Sequence, residues 1–150
     1  MRRLGIAISA ITVLMLGLLT PLAAADAVYH SQHIALAPVG TSPLQSGFVE
    51  NIHANGPNVY AHEIYVLAGA APTTTYAVTL HLFSDTGCTD EIATLPTATF
   101  QTNRNGNGVG QAEFRPDQVG SLRGHTFGIE WTVTGGTTEY QTACSTVTLD

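Results

Sequence analysis

The sequence contains no lysine, and only 11% of its 150 residues are charged. Its basic residues are five arginines, against eleven acidic residues, which gives a formal net charge of -6 at pH 7. Nucleic acids and anionic membranes are bound through clusters of lysine and arginine, so this composition argues against both as partners. It leaves open an unknown protein, a glycan or a small apolar ligand.

Long apolar runs are also missing, except at the N-terminus. Arg2 and Arg3 precede an uncharged apolar run from Leu4 to Leu19, and small residues follow it up to Ala27. A positive segment, a short apolar segment and a small-residue cleavage zone are typical of a secretory signal peptide. Because a membrane-spanning helix needs about 20 apolar residues, we expect export rather than anchoring.

The predicted signal peptide covers residues 1–27 and leaves residues 28–150 as a single domain. We expect this domain to be secreted or to lie on the exterior of the cell envelope, with no stable membrane insertion after cleavage. Cleavage after Ala25 and cleavage after Ala27 both satisfy the small-residue rule.

Cysteine is scarce, since Cys88 and Cys144 are the only two. An even number of cysteines in an exported chain favours a disulfide. Closing a loop of this length stabilises the fold by about 4 kcal/mol on the chain-entropy model. The alternative is a pair of free buried thiols.

Helical periodicity is missing after residue 27, and short runs of strand-like alternation recur instead. Gly, Pro, Asn and Thr separate these runs, which is the all-β pattern. Their number and spacing predict a β-sandwich of about seven or eight strands, with a small closed barrel as the alternative. Pro96 limits the strand over residues 91–100 to an edge position or to a late start. The predicted strands span residues 28–36, 47–53, 59–67, 76–83, 91–100 and 111–115, followed by a hairpin over 125–149.

The clearest element is this hairpin, whose first arm alternates apolar and more polar residues around Trp131, the only tryptophan. Gly135-Gly136 is the predicted two-residue turn, because primed turns need residues that tolerate positive φ. The resulting register pairs Trp131 with Tyr140, Ile129 with Thr142 and Phe127 with Cys144.

Because directly opposite residues share a face, Cys144 is expected to point into the core. Val147 and Leu149 then have the opposite parity. A bulge between Cys144 and Val147, or a final strand lined on both faces, would reconcile the two.

Two spaced motifs carry a resemblance to a known family. A Gly-x-x-Pro-x-x-x-Tyr loop and strand is followed by a Thr-x-x-x-Gly-x-Gly turn and strand, formed by Gly69, Pro72, Tyr76, Thr102, Gly106 and Gly108. The segment from Ala68 to Phe114 therefore resembles secreted bacterial immunoglobulin-like modules. This resemblance implies an immunoglobulin-like antiparallel β-sandwich and implies no particular activity.

The size, the acidity, the missing lysine and the richness in Gly, Ala and Thr are also similar to the neocarzinostatin-type apoproteins. Those are secreted seven-strand sandwiches that carry an apolar chromophore in a cleft, so the similarity implies a carrier of a small apolar ligand. They have two disulfides, whereas Cys88 and Cys144 can form only one.

A histidine near the mature N-terminus is a candidate copper ligand. If cleavage follows Ala27, the mature chain begins Val28-Tyr29-His30. The free amine, two backbone amides and the His30 imidazole then supply four in-plane nitrogens, which suit Cu(II). Cleavage after Ala25 abolishes the site, and an N-terminus with a histidine at this place by chance is the alternative.

His53, His62 and His81 are the other candidate metal ligands, with Glu63 as a possible fourth. Imidazole and carboxylate bind zinc or copper when three or four of them converge. The spacing does not indicate convergence, and the adjacent His62 and Glu63 point to opposite faces of a strand. Surface and loop histidines are the alternative, and no other cofactor is expected.

The signatures of hydrolytic enzymes are missing. No Gly-x-Ser-x-Gly motif is present, and bridged cysteines leave no thiol nucleophile. The sequence therefore predicts a secreted, non-enzymatic binding or surface-interaction module. The alternatives are a carrier of a small apolar ligand in a cleft and a copper- or zinc-binding secreted protein that uses histidines.

Overall fold

A computed structural model of the chain describes residues 28–55 and 61–149. The signal peptide predicted at residues 1–27 lies outside the described residues. The described chain is all-β, with a short α-helix, α1 (Pro116–Val119), and a 3-10 turn (Gly120–Leu122) between its sixth and seventh strands. The nine strands are β1 (Val28–Pro38), β2 (Ser46–Asn55), β3 (Ala61–Ala68), β4 (Thr75–Phe83), β5 (Glu91–Gln101), β6 (Gly108–Phe114), β7 (His125–Gly135), β8 (Thr138–Thr142) and β9 (Ser145–Leu149).

The nine strands form one antiparallel sheet in the order β5-β4-β7-β8-β1-β2-β3-β6, with β9 paired to β7 beyond the end of β8. Strand β1 joins the two halves of this sheet. Its residues 28–35 pair with β2, whereas its residues 36–38 pair with β8. The first half of the sheet is therefore β1, β2, β3 and β6, and the second is β4, β5, β7, β8 and β9.

The two ends of the strand order approach each other and make the sheet nearly barrel-shaped. Phe100 of β5 packs directly on Gly108 and Gly110 of β6, and a Cβ at Gly110 would overlap the ring. Glycine at this position is what lets the two end strands come so close.

The predicted alternation of the two clearest strands is confirmed. Tyr76, Val78, Leu80 and Leu82 of β4 are buried, as are Phe127, Ile129, Trp131 and Val133 of β7. The predicted edge position of the strand with Pro96 is also confirmed, since β5 pairs with β4 alone. Pro96 lies at a register shift, where Val78 pairs with Ala98 but Thr79 pairs with Pro96.

The predicted register of the C-terminal hairpin is wrong by two residues. Val133, and not Trp131, lies opposite Tyr140, and Gly135 pairs with Thr138, so that the turn is Gly136-Thr137. Of residues 135–137, only Gly136 has positive φ, at 60°. Gly135 serves packing instead, because a Cβ there would lie 2.7 Å from Cδ1 of Tyr76.

Cys144 does not lie opposite Phe127, and it does not point into the core. Val147 is the partner of Phe127, and Cys144 is exposed between β8 and β9. Between the two paired segments, the three residues 142–144 lie opposite only two residues of β7, Glu130 and Trp131. The one additional residue forms a bulge that reverses the alternation of side chains, so Val147 and Leu149 point inward. The bulge also splits the last predicted strand in two and contributes to the count of nine.

The structure confirms the predicted pairing of Cys88 with Cys144 in a disulfide, with a Cα–Cα distance of 5.9 Å. The bond connects the β4–β5 loop to the bulge between β8 and β9. The loop lies over Gly128 of β7, where a Cβ would come within 2.9 Å of Cys88 Sγ.

Candidate functional site

A cavity of about 70 Å³ lies inside the sheet. Most of its wall is apolar and comes from β4, β7 and β9, with Leu82, Ile129 and Val147 among the side chains. Val119 of α1 and Leu122 of the 3-10 turn also line it. Leu95 of the edge strand β5 is 40% exposed and forms part of the rim.

The polar side of the cavity comes from one row of residues across the first half of the sheet. Gln32 of β1 lies opposite Asn51 of β2, and Asn51 lies opposite Glu63 of β3. Asn51 and Glu63 are 3% and 2% exposed and both line the cavity. Ligand sites in proteins commonly combine apolar walls with a few convergent polar groups in this way.

Glu63 reaches the residues around it through a single oxygen. Its Oε2 accepts a hydrogen bond from Trp131 Nε1 at 2.9 Å and another from the Tyr65 hydroxyl. The Tyr65 hydroxyl also lies 2.7 Å from Thr97 Oγ1. Glu63 therefore connects β3 of the first half of the sheet to β7 and β5 of the second.

Burial raises the pKa of Glu63 to about 7, and the hydrogen bonds from Tyr65 and Trp131 oppose this rise only in part. Burial also raises the pKa of Tyr65 far above its ordinary value, and the neighbouring charge of Glu63 adds to the shift. Glu63 is thus a carboxyl group that exchanges its proton near neutral pH, at the wall of an apolar cavity.

No cation partner for this carboxyl occurs among residues 28–55 and 61–149. The ion pairs in this part of the chain join His33 to Glu50 and His81 to Glu91. The arginines at 104, 115 and 123 are all exposed.

The histidines predicted as metal ligands do not share one site. His30 and His53 lie opposite each other on β1 and β2, with ring centroids 5.5 Å apart. His62 is on β3 and half-buried, with its Nε2 buried and without a hydrogen bond. His81 belongs to β4 in the other half of the sheet, where it bonds Glu91 and Thr132.

Among the described residues, one group of three possible ligands lies close enough to hold a metal ion, namely Cys88, Glu130 and Cys144. The two sulfurs are bonded to each other in the disulfide, so they are not free to ligate. The copper site proposed at His30 depends on cleavage at residues outside the described range. The copper site at His30 and the metal site at His53, His62 and His81 stay predictions.

From the sequence, Glu63 is a candidate only as a possible fourth metal ligand beside the histidines, and Asn51 is not singled out. The available signal was parity, since Glu63 alternates with the buried Tyr65 and Leu67 on β3. That Trp131 approaches from the opposite half of the sheet could not be predicted from local alternation.

No protein-family model matches the chain, and no curated protein or solved structure shows significant similarity to it. In the part of the chain that the structure describes, no helix has the length and apolar character needed to span a bilayer.

Proposed function

We propose that the protein is a non-enzymatic binding module that takes a small apolar ligand, or the apolar end of a larger one, in its internal cavity. The observation that carries this proposal is the cavity itself, with apolar walls from β4, β7 and β9 and polar groups from Asn51 and Glu63 on one side. Apolar walls provide the contact surface for a ligand, and a small number of placed polar groups orient it.

The volume limits the size of what can enter. At about 70 Å³ the cavity is roughly half the size of the 150 Å³ engineered cavity that binds benzene. A group of a few carbon atoms fits this space without rearrangement. A longer molecule would leave the cavity past Leu95 at the rim.

We also propose that the protein is secreted or lies on the exterior of the cell envelope. The signal-peptide pattern of residues 1–27 supports this location, as does the Cys88–Cys144 disulfide, because such bonds persist in oxidising compartments. Expression of the full chain in a secreting host should yield exported protein whose intact mass corresponds to a chain that begins at Asp26 or Val28. Full-length protein retained inside the cells would contradict it.

The fold class belongs to this proposal as well. An immunoglobulin-like sandwich has two antiparallel sheets packed face to face, and a strand whose two ends pair in different sheets can connect them. The division of β1 between β2 and β8 supports this assignment. An experimental structure in which the two halves form a continuous round barrel would contradict it.

Ligand binding can be tested through Trp131, the only tryptophan, which lines the cavity. Titration with 1-propanol and 1-butanol should change the Trp131 fluorescence and saturate. Val147→Ile adds one methyl group to the cavity wall and keeps a β-branched strand residue, so it should weaken binding severalfold.

Val109→Ile is the matched control, because Val109 is 65% exposed on β6 and does not line the cavity. It should bind the alcohols as the wild type does. Fluorescence that does not saturate, or equal weakening by both substitutions, would contradict a site in this cavity.

A further inference from the structure

Only one oxygen of the Glu63 carboxyl accepts hydrogen bonds from the described residues. Oε2 accepts both hydrogen bonds, from Trp131 and Tyr65. Oε1 accepts none from the described residues, although the whole side chain is only 2% exposed and lines the cavity. A carboxyl group this deeply buried and only half satisfied is costly unless something else completes it.

The neighbouring residues in the same row also carry spare acceptors. The Asn51 side-chain amide makes no hydrogen bond to another described residue, and Asn51 lines the cavity beside Glu63. Gln32 donates from Nε2 to the carbonyl oxygen of Thr146, but its Oε1 is buried without a partner. Glu63 Oε1 and Gln32 Oε1 can only accept, and Asn51 adds a carbonyl acceptor beside its own two N–H donors, so a ligand that donates can satisfy the row.

The Glu63 carboxylate also has no positively charged partner among the described residues. The chain has no lysine, and the ion pairs of the described residues do not include Glu63. A carboxylate in an apolar cavity is strongly stabilised by a cation that forms hydrogen bonds to it. The described arginines are exposed, and the described histidine ion pairs do not include Glu63, so a cation bonded to Glu63 would come from a ligand.

We propose that the cavity binds a short primary aliphatic amine in its ammonium form, with the nitrogen at Glu63 Oε1 and the alkyl chain against the wall formed by Leu82 and Ile129. The inference rests on the proposed function, because it names the chemical class of the ligand in the same cavity. The ammonium group has three donors, and the Asn51 side-chain oxygen can accept a second one.

Binding depends on pH because the ammonium ion pairs with the charged form of Glu63. The titratable groups on the interior face near Glu63 are Tyr65 on β3 and His53 on β2, while β4, β7 and β9 present apolar residues and Trp131. Since the pKa of Glu63 is about 7 in the free protein, amine binding should be strongest above pH 7. It should weaken as the pH falls and Glu63 takes up its proton.

The test compares three probes of equal length, propylamine, 1-propanol and propionamide, by Trp131 fluorescence and calorimetry at pH 8 and pH 5. Propylammonium should bind at least about tenfold more tightly than 1-propanol at pH 8, because a hydrogen bond to a charged group is the stronger kind. This advantage should disappear at pH 5.

Glu63→Gln keeps the shape of the side chain and removes its charge, so it should abolish the amine preference and still bind 1-propanol. Glu113→Gln is the matched control, since Glu113 is exposed on β6 and should leave the preference unchanged. If Glu63→Gln does not fold, NMR of the wild-type Glu63 carboxyl carbon decides. Saturating propylamine at pH 6.5 should convert it to the charged form.

The possible failures are distinct. Equal affinity for propylamine and 1-propanol, with saturable binding of both, would overturn the amine inference and leave the proposed function in place. Tighter binding of propionamide than of propylamine at pH 8 would also overturn it, because Glu63 would then prefer a neutral ligand to a cation. No saturable binding of any probe would overturn both proposals.

Discussion

At the scale of single residues, Glu63 links the stability of the fold to pH. Its ordinary pKa of 4.5 applies to the unfolded chain, and its pKa in the folded protein is about 7. Between these values the folded protein holds a proton that the unfolded chain has lost. The contribution of Glu63 is therefore complete below about pH 4.5, falls as the pH rises to about 7, and then stays constant.

We expect Glu63→Gln to remove this dependence. A shift of this size corresponds to about 3 kcal/mol, so the variant should gain up to that amount relative to the wild type as the pH is raised from 4.5 to 8. Urea unfolding across this range, with Glu113→Gln as a control for an exposed carboxylate, measures the difference. Parallel profiles for Glu63→Gln and the wild type would show that burial does not perturb this carboxyl.

Two glycines offer a second comparison between single residues. A Cβ at Gly110 would overlap the ring of Phe100, whereas a Cβ at Gly120 meets nothing within 4 Å. Gly120 also has an ordinary helical φ of -62°. Overpacking costs about 1–3 kcal/mol, and we expect a loss of this size for Gly110→Ala.

Gly120→Ala should be neutral or slightly stabilising, because it reduces the freedom of the unfolded chain. Thermal unfolding of both variants measures the two effects side by side. Equal stability of the two variants would mean that Phe100 moves away at little cost and that β5 and β6 are not tightly joined.

At the scale of elements, the disulfide holds the bulge between β8 and β9 against the β4–β5 loop. The two cysteines are 56 residues apart in sequence. Removing a crosslink of this span costs about 4 kcal/mol on the chain-entropy model. We expect the double variant Cys88→Ser/Cys144→Ser to lose stability of this order in guanidinium unfolding, while the unreduced wild type serves as the reference. A loss below about 1 kcal/mol would mean that the hydrogen bonds of β7 alone fix the bulge.

The hairpin shows how far local pattern determines an element. The alternation of β7 predicted its buried face, and the glycine pair predicted a turn within one residue of its true position. The register could not be predicted, because Gly135 is required by the ring of Tyr76 on a strand distant in sequence. Either glycine suits a primed turn, and the choice between them is made by tertiary packing.

At the scale of the whole molecule, the sequence predicted an all-β chain, an edge strand at Pro96 and the Cys88–Cys144 pair. Each of these depends on local composition or on the compartment. The closure of the sheet at Phe100 and the division of β1 between two partners depend on long-range contacts. The cavity follows from the same contacts, since Glu63 and Trp131 approach from opposite halves of the sheet.

The shared strand β1 has a consequence for the order in which the protein can assemble. Its first residues pair with β2, close in sequence, but Leu36 pairs with Thr142 near the C-terminus. Contacts of such long sequence separation slow folding, because the chain entropy of a large loop is lost before they form. A chain emerging from its N-terminus can pair β1 with β2 early. The two halves of the sheet, and with them the cavity, are completed only after almost the entire chain has been released.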